Sequence, residues 1–197
     1  GVAVAGGGRV VSAGTVTGFP AWSTSKVPLV MAALERAGTP ESAVTADMRA
    51  AITSSDNEAA EAIWSSLGAP AQAGLAVQQV LRAGGDTETV VQVAKVRPEY
   101  SAFGQTLWND GPAATFAARL PCSSSGRATA ALMREVDANQ QWGAFGLRGG
   151  QLLRLVARGD VGGNHHLGQA AIDPVQVARA HFEPLAQRLD VHLGVLG

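Results

Sequence analysis

The sequence predicts a single-domain α+β protein, and three observations carry that prediction. Its 197 residues are enough to bury one sizeable core. Its elements follow the order strands, helical middle, then strand and helix. No internal repeat or low-complexity linker argues for two independent units. The formal net charge is −1 and no basic run is present, so nucleic acid is not an expected partner. No apolar stretch reaches the roughly 18 residues of a membrane span. The most apolar segment, Leu29 to Leu34, has the length of core helix. The first residues carry no charged, apolar signal region, so the compartment is not read from them.

Val2 to Ala5 and Arg9 to Val16 are short apolar or alternating runs on either side of Gly6-Gly7-Gly8, the pattern of a β-hairpin. The chain then passes Gly18-Phe19-Pro20 into Trp22-Ser23-Thr24-Ser25-Lys26-Val27-Pro28-Leu29. Val27, Val30, Met31 and Leu34 recur at helical spacing, and Gly38 with Pro40 ends that helix. Pro28 suits only the first turn, which puts the helix N-terminus close to Ser23. Further helices are predicted over Thr45 to Ile52, Glu58 to Leu67, Ala73 to Arg82, Gly111 to Leu120 and Ala128 to Asp137. Val90 to Val96 reads as a strand or a stiff loop, Gln151 to Ala157 as a strand, and Val175 to Leu189 as an amphipathic closing helix.

The composition holds two lysines, Lys26 and Lys95, against thirteen arginines, yet one lysine stands three residues after a serine. On a helix, positions i and i+3 share a face, which brings the Lys26 amine toward the Ser23 hydroxyl. A desolvated lysine can lose its proton and serve as a base, whereas a guanidinium cannot, so the pair suits a serine nucleophile. The Ser23 N–H, at the positive end of the helix, suits a developing oxyanion. Ser55-Asp56-Asn57 falls in a short break between helices. There Ser55 is placed to relay a proton to a leaving amine, and Asn57 to bind a substrate carbonyl while touching Lys26. The same three residue types are also those preferred where a helix begins.

Cys122 is the only cysteine, which excludes an internal disulfide and a cysteine-based zinc site, and reads as a small buried or half-buried thiol. His165, His166, His181 and His192 lie near Asp160 and Asp173 in sequence. No Gly-x-Ser-x-Gly elbow accompanies them, so they read as solvated or structural. Trp22, Trp64, Trp108 and Trp142 read as core and hinge packing, with Trp22 and Trp108 as candidates for the flanks of a cleft.

Ser23-Thr24-Ser25-Lys26 followed by Ser55-Asp56-Asn57 resembles the penicillin-recognising serine enzymes, the class A β-lactamases and penicillin-binding DD-peptidases. The likeness extends over Ala21 to Leu34 and Met48 to Trp64. It implies an antiparallel sheet flanked by helices, with an all-helical lobe inserted over roughly residues 40–140. That lobe is reduced, because the two motifs stand closer together than in class A enzymes. The resemblance implies Ser23 as acylated nucleophile, Lys26 as its base or proton relay, and Ser55 and Asn57 completing the pocket. The expected ligands are a β-lactam, peptide or ester, peptidoglycan-derived ones included, with no cofactor or metal. The implied location is secreted or in the cell envelope. The low-Lys, high-Ala/Gly/Arg composition also fits a GC-rich actinobacterium.

The third family motif, Lys-Thr-Gly, is absent as such. Its best match is Arg148-Gly149-Gly150, where Arg148 would hold a substrate carboxylate, the glycines would permit close backbone approach, and the Gln151 N–H would be a second oxyanion donor. Gly-Gly after a basic residue is also a common turn. The glutamate that activates water in class A enzymes has no clear counterpart. Arg97-Pro98-Glu99-Tyr100-Ser101 offers Glu99, with Arg97 where that base is expected, and Glu99 reads as a surface carboxylate. Phe103 to Trp108 is then a candidate cleft edge. A nucleophile without such a base acylates and releases slowly. The rival reading is a non-catalytic envelope protein of the same fold that binds a cell-wall fragment or a partner protein.

Overall fold

The computed structural model describes residues 2–15, 17–38 and 42–141. These residues are α+β: a two-stranded antiparallel sheet and six α-helices, joined by short 3₁₀ turns. The expected strand 151–157 and closing helix 175–189 lie outside the described residues, as do Arg148 to Gln151, Trp142 and the four histidines.

Strands β1 (Val2–Gly6) and β2 (Arg9–Ala13) form the predicted hairpin, in the register Val2↔Ala13 to Gly6↔Arg9. Its two-residue turn is Gly7-Gly8, with φ of 55° and 76°. Two successive positive φ values make a hairpin turn that follows the strand twist, and glycine adopts them without steric cost. The second strand is shorter than the predicted Arg9 to Val16, because Gly14 at φ 103° turns the chain away after Ala13.

Helix α1 (Lys26–Ala37) is the centre of the core and ends at Gly38 in the left-handed conformation, as read from sequence. Leu29, Val30 and Leu34 are fully buried. Four later helices surround α1: α2 (Ala46–Thr53), α3 (Asn57–Ser66), α4 (Pro70–Ala83) and α6 (Ser124–Leu132). Helix α5 (Asp110–Arg119) packs instead on the hairpin. The caps explain the boundaries. Thr45 Oγ1 accepts from Met48 N at 3.2 Å and Asp56 Oδ1 from Ala59 N at 2.9 Å. Pro70 at the first helical position starts α4 three residues before the predicted Ala73.

The sixth helix and the burial of Cys122 differ from the prediction. The sixth helix covers 124–132, not Ala128 to Asp137. Ser123 caps it by accepting from Gly126 N at 3.0 Å, so the Ser123-Ser124-Ser125 run that looks like a loop is a cap and a first turn. Cys122 is exposed rather than buried, since the 3₁₀ turn Leu120–Cys122 turns Leu120 into the core instead. Of the two readings of Val90 to Val96, the structure shows the loop, which runs along α4 with no strand partner among the described residues. Gln78 fixes that loop by receiving the Val91 N–H at 2.9 Å, and Gly74 leaves the space that Val93 fills.

Candidate active site

Trp22–Ser25 is a 3₁₀ turn that runs directly into α1. Ser23 therefore stands in the first turn of a longer helical run, where backbone N–H groups have no partner within the helix. The segment leading to it is held by Phe19 to Ala21 pairing with Thr106 to Trp108. Ala21 N donates to Thr106 O at 2.7 Å and Trp108 N to Phe19 O at 2.9 Å, around the bridge Pro20↔Leu107. The 3₁₀ turn Phe103–Gln105 then packs against the turn that carries Ser23, which makes Phe103 to Trp108 the neighbouring wall expected from sequence.

Lys26 enters from the first turn of α1 and is only 3 % exposed. Its Nζ donates to three oxygens: the Ser55 carbonyl, Ser55 Oγ at 3.2 Å and Asn57 Oδ1 at 2.8 Å. Ser55 Oγ in turn donates to Ser23 Oγ at 3.0 Å. Among the described residues, the hydrogen-bonded path between lysine and serine therefore runs through Ser55. Helical spacing alone predicted a direct approach; the α2–α3 break instead inserts a hydroxyl between the two. The helix cap and the contacts with Lys26 are both present at Ser55-Asp56-Asn57. Asp56 caps α3, and its neighbours on either side face the lysine.

Burial pushes the Lys26 ammonium down from its ordinary range to about 8, against the opposing pull of the nearby Asp56 carboxylate. The neutral amine is therefore a minor form at pH 7 and becomes a major one near pH 8. Ser23 and Ser55 are half-buried and Asn57 is exposed, so the two serines are partly open to solvent whereas the lysine is not.

Two non-glycine residues have positive φ among the described residues: Trp22 at 46° and Ser55 at 56°. Each such conformation costs on the order of 1–3 kcal/mol and persists only where surrounding contacts hold it. One is the residue before Ser23 and the other carries the hydroxyl that bonds to both Ser23 and Lys26. Trp22 is held by Ser25 Oγ bonding to its carbonyl and by an edge-on contact with Tyr100 at 4.9 Å. Ser55 is held by Lys26 on its carbonyl and by Asp56 N bonding to Ala50 O at 3.2 Å. Neither strain was legible from residue type.

The remaining candidates separate clearly. Glu99 is exposed and pairs with Arg97 at 3.3 Å, as its reading as a surface carboxylate anticipates. Trp108 does not flank the Ser23 turn as a free platform. It donates to the buried Asp86 at 2.9 Å and packs edge-on with Phe116 at 5.5 Å. Trp64 is buried against Phe103 at 5.3 Å. Among the described residues no group of His, Cys, Asp and Glu is arranged to hold a metal ion, and no helix is long and apolar enough to cross a membrane. No protein-family model, curated protein or solved structure matches this chain.

Proposed function

We propose that the chain is a serine acyl-enzyme hydrolase or penicillin-binding-type protein that attacks a peptide, ester or β-lactam acyl bond with Ser23. The observation that carries this reading is the chain of hydrogen bonds from buried Lys26 through Ser55 to Ser23. Carbonyl oxygens only accept, so the Lys26 contacts to Ser55 O and Asn57 Oδ1 have one direction. The contact to Ser55 Oγ has two, because a hydroxyl both donates and accepts. With Lys26 protonated, protons point from lysine to Ser55 to Ser23. With Lys26 neutral the sense reverses: Ser23 donates to Ser55, and Ser55 to the amine lone pair.

That reversal activates the nucleophile. As Ser23 Oγ bonds to the acyl carbon, its proton passes to Ser55 and the Ser55 proton to Lys26. The Ser23 N–H faces the developing oxyanion. Collapse of the tetrahedral adduct breaks the bond to the leaving group, which takes a proton back along the same path. Asn57, with Oδ1 on the lysine, keeps its Nδ2 donors for a substrate carbonyl.

Glu99 lies at the surface beside Arg97 and outside the Lys26–Ser55–Ser23 path, which supports acylation with slow release over efficient β-lactam hydrolysis. The finer architecture that goes with this proposal is the β-lactamase and transpeptidase arrangement with a reduced helical lobe. Its setting would be the cell envelope and its ligands peptidoglycan-derived acyl donors. The rival, a non-catalytic binding protein of the same fold, would keep the same buried lysine and leave Ser23 unacylated. Turnover of p-nitrophenyl acetate tests the proposal. The expected result is a stoichiometric burst followed by a slow phase, with the burst absent in Ser23→Ala. A burst of equal size in that variant, or none in the wild type, contradicts it.

A further inference from the structure

Arg97 occupies a position that the proton path does not explain. Its guanidinium carbon lies 4.5 Å from the Tyr100 ring centroid and 5.9 Å from that of Trp22. Trp22 is the residue before Ser23, and neighbouring Cα atoms are about 3.8 Å apart. The cation thus stacks on the side chain of the residue that precedes the nucleophile. Its backbone is fixed as firmly. Gln105, itself 8 % exposed, accepts from Arg97 N at 2.8 Å and donates to Arg97 O at 3.0 Å, and to the Tyr100 and Ser101 carbonyls at 3.2 Å each. Gln105 belongs to the turn packed on Trp22–Ser25, so the loop is anchored to the turn that carries Ser23.

Stacking on two aromatic faces orients the planar guanidinium and spares it the rotamer entropy of a free arginine. Its charge partner among the described residues is Glu99, which meets one terminal nitrogen at 3.3 Å. The side chains of that pair are 54 % and 57 % exposed. An ion pair so exposed contributes little and exchanges readily, whereas a guanidinium offers five N–H donors in a fork that matches a carboxylate.

We propose that Arg97, held on Trp22 and Tyr100, is the carboxylate-recognising residue of the Ser23 site and selects acyl donors that bear a carboxylate on the acyl portion. The Glu99 carboxylate occupies the place that the ligand carboxylate takes over. This assignment rests on Ser23 being the acylated residue.

The test measures acylation rate constants for p-nitrophenyl monoesters of adipic and pimelic acid beside p-nitrophenyl caproate and heptanoate, with Ser23→Ala subtracted as background. The wild type is expected to prefer the acidic ester of each pair. Arg97→Ala lowers the acid-to-neutral ratio by about tenfold, and Arg97→Lys restores part of it, since the charge returns without the fork. A merely structural arginine would lower both esters together and leave the ratio unchanged, which overturns the assignment. Equal ratios in wild type and Arg97→Ala, with neutral esters still acylating Ser23, remove the carboxylate role alone. Failure of every ester to acylate Ser23 overturns the nucleophile reading and this assignment with it.

Discussion

Ser55 Oγ stands 3.0 Å from Ser23 Oγ and 3.2 Å from Lys26 Nζ, so one hydroxyl bonds to both the Ser23 hydroxyl and the Lys26 amine. Most of what the site is expected to do follows from that placement.

Ser55→Ala interrupts the path while leaving Lys26 its carbonyl and Asn57 partners. Acylation of Ser23 should fall by about 10²- to 10⁴-fold, the usual worth of positioned proton transfer. Rapid-mix kinetics with an activated ester would read this. A second substitution separates reactivity from strain. Ser55→Gly loses the same hydroxyl but relieves a φ of 56°, so it should be more stable than Ser55→Ala by about 1 kcal/mol in urea unfolding.

The acylation rate should rise about tenfold per pH unit below the Lys26 midpoint and level above about 8. Asp56→Asn isolates the charge, because asparagine is an equally good helix cap. The Asp56 carboxylate holds the lysine up, so its loss should move the midpoint below that of the wild type. An unmoved midpoint would show that the profile belongs to another group.

Lys26 also couples folding to pH. Its ammonium is lowered to about 8 in the folded chain and titrates near 10.5 when unfolded. Between those values the unfolded state binds the extra proton, so stability rises with pH across about 8 to 10.5. Lys26→Met should lack that rise. Chemical denaturation of both proteins at several pH values, compared as a difference, checks the sign.

Gln105→Leu removes one buried amide and leaves the carbonyls of Arg97, Tyr100 and Ser101 without their donor. The expected cost is about 1–3 kcal/mol, with earlier proteolytic cleavage in the 97–101 loop than in the wild type. Equal protease resistance would mean that the loop is held elsewhere.

What could be read from sequence was local. Ser-x-x-Lys at a helix start, Ser-Asp-Asn at a break and the caps at Thr45 and Gly38 are short-range signals, and the structure places each near its predicted position. Ser123 was missed because three serines in a row look the same as a cap or as a loop until the following helix is seen to pack. The long-range contacts left no pattern. The Gln105 clamp reaches back 8 residues to Arg97, the Ser55–Ser23 hydrogen bond spans 32 residues, and Trp22, at positive φ, lies against Gly104 and Tyr100. Arg97 was noticed only as the residue standing where a base was expected. Its stacking on Trp22 gives it a different reading.

The central claim is that Ser23 becomes acylated, and intact-protein mass spectrometry after incubation with a fluorescent penicillin and, separately, an activated ester tests it most directly. The account predicts a single long-lived adduct with at least one probe, on the peptide containing Ser23 and absent from Ser23→Ala. An adduct that persists in Ser23→Ala, or neither adduct nor turnover with either probe, would contradict it.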